Sequence, residues 1–112
     1  MFDNTIFFKS INNYKFNFKK ILKPTNTVIL FNCKNVDLYI KSKINRIILQ
    51  GCNNINIKVC NMISGIEILK SKDIIINISK NKNINSLELF NSNIKINKLN
   101  YRLINENSFI KL

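Results

Sequence analysis

The side chains of this chain that could do chemistry are few, and they are spaced rather than gathered. Three cysteines stand at Cys33, Cys52 and Cys60, six carboxylates are strung along 112 residues, and there is no histidine. Without an imidazole, and with the acids well separated, the usual proton-transfer pairs and nucleophile–base arrangements are hard to assemble. Three thiolates could hold a zinc ion if they converged. Cys33 and Cys52, however, follow matching stretches and so belong at equivalent corners of a repeated fold, while Cys60 falls in another polar corner beside Asn61. Ser71 and Ser92 occupy similar places further on. A ladder of small residues stacked at a turn explains all four without metal or catalysis. Gly51 and Gly65 read as corner residues needing unusual backbone angles, not as a phosphate loop. No catalytic residue, cofactor or metal site is expected, and the chain is not read as an enzyme.

What must position these residues is a repeat. Val28 to Ile44 reads VILFNCKNVDLYIKSKI and Ile47 to Ile63 reads IILQGCNNINIKVCNMI, with Cys33 falling onto Cys52 and Val36 onto Ile55. Each unit is a short alternating run, a Cys followed by polar residues, a second alternating run, then a polar corner. A period of about 19 to 22 residues points to stacked coils. The fold class expected is all-β, a right-handed parallel β-helix forming one domain over residues 1–112.

Taken in order, the inward side chains are Ile6 and Phe8 with Tyr14, Phe16 and Phe18; Val28 and Leu30 with Val36, Leu38 and Ile40; and Ile47 and Leu49 with Ile55, Ile57 and Val59. Ile66 and Ile68 with Ile74, Ile76 and Ile78 follow, then Leu87 and Leu89 with Ile94 and Ile96. Strand side chains alternate faces, so these sets should stack in ladders. Ile44, Ile63 and Ile84 suggest a further ladder and a third short sheet per turn. Pro24 makes a loop of Ile21 to Thr27. Strand edges at both ends need covering: Phe2, Phe7 and Phe8 could shield one, and Phe109, Ile110 and Leu112 offer a cap or a partial sixth coil at the other. Asn32, Asn53, Asn54 and Asn91 at corners can stack or tolerate left-handed turns.

The bias toward Asn, Ile and Lys reads as codon usage in an AT-rich genome. A net charge of +12 resembles a nucleic-acid signal, but the lysines are scattered along the chain, which reads as a solvated surface. With no aromatic-plus-basic pattern for base stacking, nucleic acid ranks last among partners. No run of eighteen apolar residues exists to cross a membrane, and the start MFDNTIFFKS lacks the core of a signal peptide. The thiols are read as reduced and the location as cytoplasmic. On the outward side, the second strand of each coil is polar. The first carries Phe7, Ile29, Phe31, Ile48, Leu69 and Phe90 with Gln50, Glu67 and Glu88, a stripe of the kind that marks an interaction surface or is covered by a terminal segment.

The run FNCKNVDLYIKSKINRIILQGCNNINIKV, continued by SGIEILKSKDIIINIS, resembles the C-terminal actin-binding domain of cyclase-associated protein. The matching motifs are Cys33-Lys34-Asn35, Ile40-Lys41-Ser42-Lys43-Ile44-Asn45, Gly51-Cys52, and Ile66-Glu67-Ile68 with Ser71-Lys72-Asp73, and they run from Phe8 to Ile96. The resemblance implies a β-helix that binds monomeric ADP-actin and promotes exchange of its nucleotide during filament turnover. Lys41, Lys43, Asn45, Lys72 and Asp73 are the actin-contact candidates it carries over. It also implies a homodimer joined by a swapped C-terminal hairpin. This chain stops short of that arm, leaving end-to-end pairing through an open edge as the route to a homodimer. A sister family, the tubulin-folding cofactor C domain, stimulates GTP hydrolysis with an arginine just before a Cys corner. Here Ile48 and Gln50 stand where arginines would be expected, and Arg46 lies two residues early on the same strand face. An arginine finger depends on placement, so Arg46 is read as a solvated corner residue.

Overall fold

The computed structural model describes residues 4–18, 22–98 and 100–112. The alternation of apolar and polar residues becomes strand throughout: β1 (Thr5–Lys9), β2 (Asn12–Phe18), β3 (Thr27–Phe31), β4 (Lys34–Ile40), β5 (Ile44–Gln50), β6 (Asn53–Val59), β7 (Met62–Leu69), β8 (Lys72–Ile78), β9 (Ser86–Phe90), β10 (Asn93–Ile96), β11 (Arg102–Glu106) and β12 (Phe109–Lys111). Odd-numbered strands form one six-stranded sheet and even-numbered strands another, each pairing in parallel with the strand one coil away. This is a parallel β-helix. The coil offsets are those of the repeat, with Ile6 beside Val28 and Val28 beside Ile47 in the first sheet, and Val36 beside Ile55 in the second.

The inward sets close into one core. From Val28 to Ile96 they are all buried, with Leu30, Leu49, Ile57, Ile68 and Ile76 among the fully enclosed. Each such side chain stabilises the fold by about 1.5–3 kcal/mol through apolar area removed from water. β-branched Ile suits this place because its stiff χ1 packs on a pleated surface.

The turn from each odd strand into the next even one has a repeated backbone signature. Ser10, Asn32, Gly51, Lys70, Asn91 and Asn107 have φ between 48° and 64°, and Asn13, Asn35, Asn54 and Asp73 have φ of 56° to 58°. Asn is the L-residue that enters this left-handed region most readily, so the asparagines do structural work that composition alone disguises. Between the paired left-handed residues of the middle coils sits a small inward side chain, Cys33, Cys52 or Ser71, and Ser92 follows Asn91 in the next. Cys52 N donates to Ser71 Oγ (3.0 Å), Ser71 N to Ser92 Oγ (3.1 Å) and Ser92 N to Ser108 Oγ (3.0 Å). Beside this column, Asn54 donates to Asn35 (2.7 Å) and Asn35 to Asn13 (3.0 Å) through their carboxamides.

Several expectations need correction. Among the described residues there are two sheets rather than three. Ile44 and Ile84 are buried as expected, but Ile63 is 47% exposed and Met62 points inward instead. The cause is a register shift: Ile44 pairs with Met62, whereas Arg46 pairs with Gly65, so β7 carries one extra residue there. Gly65 lies within β7 and Asn53 starts β6 without a left-handed φ. Tyr14 keeps its register beside Val36 but is 55% exposed, because the first coil has a neighbour on one side only. Phe8, Phe16 and Phe18 close that end, with Phe8 and Phe16 centroids 4.2 Å apart. Phe7 faces outward, and Phe2 lies outside the described residues, as does Ile21 at the start of the expected loop. Pro24 does sit in a turn, closed by Asn26 N donating to Lys23 O (2.9 Å). Leu22, unassigned from sequence, is buried. β11 and β12 form a short sixth coil, leaving Phe109 80% and Leu112 63% exposed.

Candidate protein-binding surface

The outward face of the odd-numbered sheet is built from rows in strand register. One runs Phe7, Ile29, Ile48, Glu67, Glu88, Ile104, and the next Lys9, Phe31, Gln50, Leu69, Phe90, Glu106. The stripe read from sequence is therefore continuous. Phe7 stacks on Phe31 at a centroid distance of 6.4 Å, and the Lys9 ammonium lies 6.0 Å from the Phe31 ring. The described C-terminal segment extends the stack as a further coil instead of crossing this face.

Arg46 stands in the third row with Thr5, Thr27, Gly65, Ser86 and Arg102. It is not a solvated corner residue. Its guanidinium lies 3.7 Å from Glu67 and 3.5 Å from Glu88, all three side chains being between a quarter and a third exposed. Reaching Glu88 crosses two strand spacings of about 4.8 Å, past Gly65, which contributes no side chain. A guanidinium held by two carboxylates is committed within the sheet, whereas a finger must project to a phosphate.

The five contact candidates fall into two groups that the fold keeps apart. Lys41, Lys43 and Asn45 lie where even strands turn into odd ones, and Lys72 and Asp73 lie at the opposite corner. Lys41 and Lys43 are exposed, with Lys41 Nζ 5.7 Å from the Tyr39 ring. Asn45 is engaged internally: it accepts from Ser64 Oγ (2.8 Å) and donates to Thr27 Oγ1 (3.4 Å). Asp73 is a left-handed corner residue whose N–H donates to Asn93 Oδ1 (2.6 Å). Lys72 is exposed and helps line a shallow cavity beside Phe109.

The cysteines are placed as the repeat implies. Cys33 and Cys52 share one corner, where Cys52 Sγ donates to Leu30 O at 3.3 Å, and Cys60 lies at the other corner against Ser79 Oγ (3.4 Å). Burial pushes the Cys52 thiol above its ordinary value.

The described cations are spread over both corners and both sheets, with Lys34, Lys70 and Lys72 at the odd-to-even corner and Lys9, Lys15, Arg46, Lys58, Lys95 and Lys111 on the strands. Lys23, Lys41, Lys43, Lys80, Lys82, Lys98 and Arg102 all fall at the even-to-odd corner. The described carboxylates fall elsewhere: Asp37, Glu67 and Glu88 on the sheet faces, Asp73 and Glu106 at the opposite corner. The even-to-odd cations are far apart in sequence and recur at one or two coil periods, with none at the corner of Cys60 and Asn61. On the second sheet, Ile75 is 40% exposed among otherwise polar neighbours.

The described fold and these surfaces define a β-helical scaffold that presents one half-apolar face and one basic edge. The family model described as adenylate cyclase associated (CAP) C terminal matches residues 9–99, and the chain belongs to that family. A crystal structure of cyclase-associated protein from Cryptosporidium parvum is similar with a TM-score of 0.83 over 96% of this chain and 68% of that one. Sequence identity there is 20%, so the likeness speaks for the fold. No curated protein matches the chain with significance. No helix among the described residues is long and apolar enough to cross a membrane.

Proposed function

We propose that the protein binds monomeric actin in its ADP form and promotes exchange of the bound nucleotide, acting without catalysis of its own in the cytoplasm. Membership of the cyclase-associated family over residues 9–99 carries this reading. The mechanism is differential affinity: a surface that fits the open, nucleotide-releasing form of actin better shifts that equilibrium. A tenfold gain in release corresponds to about 1.4 kcal/mol of such preference. Actin is acidic, so the basic edge speeds encounter, an effect that salt screens. Lys41, Lys43 and Lys72 serve as contacts, with Asn45 and Asp73 holding the corners that present them.

The test is binding of the purified protein to ADP-actin monomer at physiological salt, with release of labelled nucleotide followed in the same sample. Binding with accelerated release is the expected result. Binding without acceleration would make the protein a sequestering relative, and no binding would remove the proposal. The cofactor C reading is disfavoured by the pairing of Arg46 with Glu67 and Glu88.

A further inference from the structure

At the basic corner an open groove of about 710 Å³ runs along the coils, flanked by Lys43, Asn83, Asn85, Asn100, Tyr101 and Arg102, with Met62 and Ile84 beneath. Its lining contains two cations and no carboxylate. The carboxamides of Asn83, Asn85 and Asn100, the Tyr101 hydroxyl and both cations make no side-chain hydrogen bond or ion pair with any described residue. Their backbone is nonetheless fixed by the coil ladder: Met62 N donates to Asn83 O (3.3 Å) and Arg102 N to Asn85 O (3.1 Å). At Asn83, Asn85 and Arg102 the backbone is thus fixed, while the groove's side-chain donors have no acceptor among the described residues.

The geometry points to a binding site for a small molecule bearing two or more phosphate groups. The groove is open to solvent and mainly polar, so its chemistry rather than its volume selects the ligand. Clustered phosphates present many acceptor oxygens in a small space, and they match the fork of Arg102 and the point charge of Lys43. Three carboxamides add N–H donors. Acidic peptide carboxylates arrive only one per residue. Lys41, Lys80 and Lys82 lie in the same even-to-odd turns and raise the local potential. The proposal does not depend on actin binding.

The experiment is calorimetric titration of the full chain with inositol hexakisphosphate and with pyrophosphate at physiological salt, hexaglutamate serving as the carboxylate control. Two variants of equal charge change are compared, Lys43→Gln with Arg102→Gln in the groove, and Lys34→Gln with Lys70→Gln at the opposite corner. All four residues are exposed, so both variants should unfold at the wild-type midpoint. The groove variant is expected to weaken inositol hexakisphosphate binding by about tenfold or more, and the control by less than about twofold. Equal losses, hexaglutamate binding as tight as inositol hexakisphosphate, or tight binding of an oligonucleotide in place of the small anion would each overturn the site. Sedimentation with vesicles containing a bisphosphorylated inositol lipid separates the sources. Retention that needs Lys43 and Arg102 assigns a lipid headgroup, and binding of the soluble anion alone assigns a free one.

Discussion

Replacing Ser71 by alanine tests the corner ladder. Ser71 is fully buried; its hydroxyl accepts from Cys52 N at 3.0 Å and donates to Leu69 O at 2.9 Å. The two partners suffer unequally when it is lost. Leu69 O still accepts from Gly51 N at 3.0 Å, whereas the Cys52 N–H is left inside with no acceptor. Only one buried donor is orphaned, at a cost of about 1–3 kcal/mol. For a chain of this length each kcal/mol moves the melting temperature by about 4–5 °C, so Ser71→Ala should melt about 4–15 °C below wild type. Ser71→Cys should fall between the two, because Cys33 and Cys52 occupy the same column and a thiol sulfur is a weak acceptor. Urea unfolding followed by circular dichroism measures both, and an unchanged m-value keeps the comparison valid for a repeat protein, where cooperativity can break down. An alanine variant as stable as wild type, or a cysteine variant below alanine, would refute the ladder.

Gly65→Ala should cost more than about 3 kcal/mol, since φ is 140° and an added Cβ would run into the Ser86 carbonyl oxygen; Gly51→Asn, at a φ of 64° near the 53° of Asn32 and 50° of Asn91, meets only the end of the Asn32 side chain, which can rotate away, and should cost less than about 1 kcal/mol. Urea midpoints compare the two. Burial holds the Cys52 thiol above its ordinary 9.0, so the unfolded chain releases that proton first. The Cys52 contribution to stability should therefore be constant below about pH 9 and fall as pH rises past it, and Cys52→Ser should flatten that fall in a pH series of midpoints. Tyr101, also raised by burial from 10.0, adds a second decline at higher pH that Tyr101→Phe removes. Lys41→Glu with Lys43→Glu should weaken ADP-actin binding by about tenfold or more while leaving the unfolding midpoint in place; normal affinity would remove both from the contact surface.

How much was legible follows from what each feature depends on. The coils, their register and most of the core were readable because strand alternation and the coil period are both written in Ile, Val and Leu. The shared column of Cys33, Cys52, Ser71 and Ser92 was readable for the same reason. Met62 in place of Ile63 was not, because one inserted residue reverses the facing of the side chains before it relative to Ile66 and Ile68 after it, and nothing in the run marks where it sits. Tyr14 failed at an end, where register no longer guarantees a neighbour. The partners of Arg46 were hidden because Glu88 is two coils away. The two-corner split of Lys41, Lys43 and Asn45 from Lys72 and Asp73 follows only once the corners are assigned to sheets.

The basic edge and the variable parts of the coils coincide. Along the first sheet, Ile6 pairs with Val28 and Ile66 with Leu87, wider offsets than that of Ile47 with Ile66. The extra length of these coils lies largely in the loops before β3 and β9, at the corner that carries the lysines. Repeat scaffolds tend to bind where insertions collect, because those loops change without disturbing the ladders. This places the proposed actin contact and the phosphate groove side by side, sharing Lys43. Competition decides whether they are one surface. With actin held well below its own dissociation constant, inositol hexakisphosphate is expected to displace ADP-actin with a midpoint near the anion's dissociation constant, and to do so less well on the Lys43→Gln, Arg102→Gln variant. A ternary complex formed at undiminished affinity would move the actin contact off this edge, leaving the half-apolar face of Phe7, Phe31, Leu69 and Phe90 to make it.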